Sequence, residues 1–217
     1  MKITIDILET DKQIVDLIIK EIVDKFNKIL PRIISNISIN IKTATFNFLK
    51  STPTYESLVN GELAGHFGLP ANNRTYIVDS IIKAVSDNMV IEYKPLRYAV
   101  GKFRHGIYIR ALKQDMSDVL TLPGGTVFSE NGDPIPWLEW LLLEGDKIII
   151  RDYEIDFRYG QGRSGLAVMD ETDGGVWRVP AEFSGTITNN WLTQAIKDPK
   201  YLSIIKRIIE SEINGNY

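Results

Sequence analysis

Between residues 11 and 30 the apolar side chains recur at helical spacing. Ile14, Leu17, Ile18, Ile22, Phe26, Ile29 and Leu30 line one face, and Lys12, Asp16, Lys20, Glu21, Asp24 and Lys25 fill the other. A stripe of this kind must be laid against something, so the rest of the chain has to supply a surface for a long N-terminal helix. Thr10 or Asp11 is placed to cap it. Pro31 has no backbone donor and its ring crowds the preceding turn, so the spacing predicts a kink or a restart there. Residues 32–50 fit both periods: Ile33, Ile37 and Ile41 suit a helix, whereas Ile37, Ile39 and Ile41 suit a strand. With no turn signal before Ser51-Thr52-Pro53-Thr54, a continued helix is the favoured reading. A short helix from Thr54 ending near Gly61 or Gly65, and another over Asn72 to Ser86, follow.

After residue 88 the pattern changes to β-branched and aromatic residues. Met89 to Tyr93, Gly106 to Leu112, Asp118 to Leu122 and Lys147 to Tyr159 read as strands. Ser129 to Pro134 and Asp170 to Gly175 read as turns, and Leu166 to Met169 and Val176 to Val179 as short strands. Pro136 to Glu144, Thr188 to Ile196 and Pro199 to Ile213 read as helices. The expected fold is α+β: a mostly antiparallel sheet flanked by an N-terminal amphipathic helix and C-terminal helices. One domain spans residues 1–217, helical over 1–88, sheet-rich over 89–180 and helical again over 188–213.

Several classes of function drop out. There are no cysteines, which removes disulfides, thiolate catalysis and cysteine-based zinc sites. The net charge is −3 and basic residues are spread along the chain with acidic ones between them, so no general nucleic-acid binder is expected. No apolar run reaches the ~18 residues of a membrane span, and the N-terminus lacks the signal-peptide pattern. No membrane partner is expected, and the protein is expected to be made and assembled in the cytoplasm.

No catalytic constellation stands out, so no enzyme and no cofactor is expected. His66 lies in Ala64-Gly65-His66-Phe67-Gly68 and reads as a turn histidine; His105, between Arg104 and Gly106, reads as exposed. Two isolated histidines make a poor metal site. Gly160-Gln161-Gly162-Arg163-Ser164-Gly165 meets the bare dinucleotide-loop pattern, but a strand-like segment follows it and no βαβ unit surrounds it. A glycine-rich hairpin with an exposed Arg163 is the better reading. Asp152, Glu154 and Asp156 alternate, which places three carboxylates on one face of a strand. Such a row fits a solvated face; its alternative use is a divalent cation or an acid/base pair in a small metal-dependent hydrolase.

What remains is tryptophan and arginine. All four tryptophans lie in Trp137 to Gly145, Val176 to Gly185 and Asn190 to Ile196, beside Pro, Gly and Arg. Trp and Arg dominate interface energetics when they are desolvated. Arg163, Trp177 and Arg178 are therefore the candidate subunit-contact residues, with Trp137, Trp140 and Trp191 read as core. A non-viral protein-interaction module would use the same features.

The order of these parts resembles the tail-completion and tail-terminator proteins of tailed bacteriophages. The pieces that carry the resemblance are Ser57-Leu58-Val59-Asn60-Gly61-Glu62-Leu63, Trp137 to Gly145, Trp177 to Ala195, and the final helix with Ile204, Ile205, Ile208 and Ile209. Residues 96–134 read as an insertion relative to that pattern. The resemblance implies an architectural role: a homo-oligomer, expected as a hexameric ring, at the head-proximal end of the tail. Its partners would be tail tube, sheath or neck and connector proteins of the virion, and DNA would pass nearby without sequence-specific binding, which a mildly acidic chain suits. The resemblance carries over no catalytic residue.

Overall fold

The computed structural model describes residues 10–113, 115–129, 131–158 and 162–215. Helix α1 runs unbroken over Asp11–Lys50. Thr10 caps it with a reciprocal box: the Thr10 hydroxyl accepts from the Gln13 backbone N–H, and the Gln13 side chain accepts from the Thr10 N–H at 2.8 Å. Pro31 sits inside this helix and does not end it. The reason lies in what flanks it. Leu30, Ile33, Ile34, Ile37 and Ile41 are all buried. Each such side chain contributes about 1.5–3 kcal/mol on burial, which together exceeds the ~3 kcal/mol that an interior proline costs.

Three short helices follow: α2 over Pro53–Val59, α3 over Glu62–His66 and α4 over Arg74–Asp87. Thr52 starts α2 by accepting from the Tyr55 N–H, with Pro53 in the first turn where a missing donor does no harm. The chain then makes a long hairpin arm. Strand β1 (Val90–Tyr93) pairs with β4 (Ile107–Arg110), and beyond them β2 (Arg97–Ala99) pairs with β3 (Lys102–Arg104). The Lys94 N–H donates to the Gly106 carbonyl at 3.0 Å between the two ladders. Asn27 of α1 clamps the arm: its amide donates to the Leu96 carbonyl at 3.0 Å and accepts from the Leu96 N–H at 2.9 Å.

Residues 117–120 form a one-turn helix, α5 (Ser117–Leu120), and not the strand expected over Asp118 to Leu122. Val119 turns into the main core there, and a 3-10 turn at Pro123–Gly125 follows at once. Strands β5 (Val127–Phe128) and β6 (Pro134–Ile135) flank the expected polar turn, and α6 covers Trp137–Leu143. Strand β7 (Ile150–Asp156) pairs with β8 (Val168–Trp177). The segment expected as a turn at Asp170 to Gly175 therefore lies within a strand, but the ladder is interrupted there. Arg151 faces Val176 and Tyr153 faces Glu171, so Asp152 alone stands against Thr172 to Gly175. Helices α7 (Trp191–Lys197) and α8 (Pro199–Asn214) close the chain, capped by Asn190 and Asp198.

The fold is α+β with antiparallel pairing throughout the described residues, divided among four two-stranded ladders. Two apolar clusters hold it. The larger joins α2, α3, α4 and α6 to Trp177, Val179 and Trp191. The second packs the middle of α1 against Met89, Tyr201 and Ile205, and Phe48 touches both. The first turns of α1 belong to neither: no described residue before Val23 is buried. No described helix is long and apolar enough to cross a membrane.

Candidate functional site

Near the predicted residues lies a cleft of about 400 Å³ between the end of α3 and the β7–β8 hairpin. His66, Phe67, Trp140, Ile155, Arg163 and Met169 are among its lining residues. The described wall is mostly apolar, with three polar side chains, His66, Ser129 and Arg163, each of which has a partner. His66, the last residue of α3, accepts at Nδ1 from the Trp177 indole N–H at 3.0 Å. Its ring meets Phe157 edge-on, with centroids 5.2 Å apart. His66 is thus a half-buried, partnered histidine and not a free turn residue.

Accepting at Nδ1 requires the neutral imidazole with its proton on Nε2. Burial holds the His66 pKa below its ordinary 6.5, with the nearby Glu182 charge opposing that shift more weakly. The unfolded chain then takes up a proton that the folded chain refuses. Stability is full above pH ~6.5 and falls as pH drops below it toward the folded-state value. The melting temperature is expected to decline between pH 7 and 5, and His66→Gln to flatten that decline. A decline of equal steepness in the variant would assign the proton elsewhere.

Arg163 is half-buried, which corrects the expectation of an exposed arginine. Its guanidinium Nε donates to the Gly68 carbonyl. The loop is held further by the Ala71 N–H on the Arg163 carbonyl at 3.3 Å and by Arg74 on the Ser164 carbonyl at 3.0 Å. Residues 162–165 are strapped to the α3–α4 connection in this way. Gly160 and Gln161 lie outside the described residues.

Trp177 is the larger correction. It is 3% exposed, with its ring 5.5 Å from Trp140 and 6.0 Å from Phe67. It is a core residue in the monomer and cannot be the surface anchor that its neighbour Arg178 suggested. Arg178 itself is exposed, as is Val176, while Val179 is buried. Trp137 and Trp191 are buried as expected and Trp140 is half-buried; the Trp137 indole donates to the Gly124 carbonyl at 2.8 Å and the Trp191 indole to the Thr52 hydroxyl at 2.8 Å. The structure brings Arg163 to the cleft and places Trp177 behind it through His66, but Arg178 is not among the lining residues.

The carboxylate row does not form as a row. Asp152 stands at the bulge with φ +62°, out of phase with the strand. Asp156 is paired with Arg158, whose guanidinium and backbone N–H hold its carboxyl below the usual range. Among the described residues no group of three or more His, Asp and Glu is close enough to hold a metal ion. Among the described lining residues Ser129 is the only one with a hydroxyl, and it is engaged with Asp133, whose N–H donates to it at 3.0 Å. The His66 Nδ1 is likewise occupied, and the rest of the described lining is mainly apolar.

Sequence reasoning missed Trp140, Ile155 and Met169 as neighbours, because the cleft joins segments up to a hundred residues apart. A scan against protein-family models, a search of curated proteins and a search of solved structures each find no match.

Proposed function

We propose that this chain is a virion structural protein that assembles as a ring at the head-proximal end of a phage tail, a tail-terminator or head–tail joining subunit. The observation that carries the reading is the bare apolar stripe at the start of α1. Val15, Leu17, Ile18 and Ile22 are each at least half exposed, at 51%, 60%, 54% and 51%. A contiguous apolar stripe left in water marks a surface that is covered in the assembled state. The occupant we assign is a neighbouring copy of the same chain, at its cleft beside Trp140, Ile155 and Met169. A stripe and a cleft are different surfaces of one subunit, so pairing them between copies is a heterologous contact, which closes into a ring when the rotation allows. The sequence resemblance supports the viral setting, and the partners on either side of the ring would be tail tube and connector proteins. The partnered His66 and the broken carboxylate row favour this assembly role over a metal-dependent hydrolase.

The test is Ile18→Glu. The residue touches no core, so the monomer should melt within about 0.5 kcal/mol of the parent, while the assembled species disappears from light scattering. Assembly at the parental concentration in this variant would remove the stripe from the interface and the reading with it.

A further inference from the structure

From Tyr93 to Gln114 the chain holds six Lys and Arg residues and no Asp or Glu, in a protein whose net charge is −3. The even spread of charge along the sequence breaks down here, and the break coincides with the hairpin arm. Arg97, Lys102 and Arg104 are exposed, and no ion pair is found for any of them among the described residues. Arg97 and Arg104 stand directly opposite each other across β2 and β3. Like charges at such a position weaken a ladder, so the pair is an arrangement that a bound anion relieves. Between the charges, Tyr98 and Phe103 pack ring to ring at 5.2 Å, with Phe103 58% exposed.

The tip is also unusual. Val100 and Gly101 both have positive φ, +53° and +72°, as a two-residue hairpin turn requires. Asn or Gly normally takes the first position, and a β-branched residue there is strained. Val100 nevertheless occupies it and is 92% exposed. The arm is held midway by the Asn27 clamp on Leu96, at the foot of the β2–β3 ladder, so its charges are presented from a fixed support.

We propose that this arm binds the phosphate backbone of double-stranded DNA without reading its sequence. A two-stranded ribbon has the width to enter a DNA groove. Arginines and lysines spaced along it with an aromatic pair between them match a ladder of phosphates. A membrane surface is the poorer match, since the tip offers only Val100 and Phe103 between charges and no continuous apolar face. The inference stands on the isolated chain and does not need the ring.

The test is fluorescence anisotropy with a labelled duplex of mixed sequence. If Lys94, Arg97, Lys102 and Arg104 each neutralise one phosphate, affinity should fall roughly 100-fold between 50 and 200 mM salt. The exposed triple change Arg97→Ala, Lys102→Ala and Arg104→Ala should weaken binding at least tenfold at 50 mM salt, with the helical circular-dichroism spectrum unchanged. Should the triple variant fail to fold, the salt dependence of the parent protein decides. The proposal is overturned by absence of duplex binding at 50 mM salt, by a salt-independent affinity, by a folded triple variant that binds as the parent does, or by preference for phosphatidylserine vesicles over the duplex.

Discussion

Trp177→Ala is expected to lower stability by about 3–5 kcal/mol, the range for removing a buried aromatic side chain from a core that cannot collapse around the loss. Three features place it at the upper end. The indole is 3% exposed, it packs against Phe67 and Trp140, and it supplies the only described hydrogen-bond donor to the His66 Nδ1. Truncation therefore opens a cavity and leaves a half-buried acceptor without its partner. For a chain of this length the loss corresponds to a fall in melting temperature of roughly 6–20 °C. Since domains of this kind have about 5–15 kcal/mol in total, the variant should be partly unfolded at moderate urea. A fall of only one or two degrees would mean that Trp177 is not the core residue described here.

Gly175→Ala is the second large effect, and it acts by a different route. Gly175 is buried at the bulge where Asp152 faces four residues of β8. A Cβ built there would lie 2.1 Å from the Thr172 hydroxyl oxygen and 2.9 Å from the Tyr153 carbonyl oxygen. The backbone oxygen cannot swing aside as a side chain can, so the two strands must part locally, at an expected cost of about 1–3 kcal/mol. The adjacent Gly174 provides the control. It has φ +76° but open space around it, so Gly174→Ala carries only the left-handed penalty of about 1–2 kcal/mol. Urea melts of the two variants should rank Gly175→Ala as the more damaging. The reverse order would place the close approach elsewhere in the hairpin.

Long-period signals were the ones that could be read from sequence. The stripe from Ile14 to Leu30, the helix over Arg74–Asp87 and the final helix all follow the 3.6 period; the last two lay one face on a core, whereas the stripe meets a core only from Phe26 onward and is largely exposed before it. Pro31 misled because a local cost was weighed without the isoleucines that outweigh it. Asp118 to Leu122 misled because five residues cannot distinguish a strand from one helical turn. Trp177 was legible in part: Val176, Trp177, Arg178 and Val179 alternate out, in, out, in, and that period places the indole inward however polar its neighbours are. The cleft was not legible, since His66, Trp140, Arg163 and Met169 become neighbours only through long-range packing. The basic arm was present as a plain count of charges between residues 93 and 114, hidden by the balance of the whole chain.

These results leave the α1 stripe as the surface on which the architectural reading depends. The mass of the purified protein in solution, by light scattering over a concentration series with negative-stain images of the same samples, tests it most directly. The account predicts a closed ring near six subunits that grows in with concentration and is absent in Ile18→Glu. A particle with the mass of one 24.6 kDa chain at every concentration would contradict it.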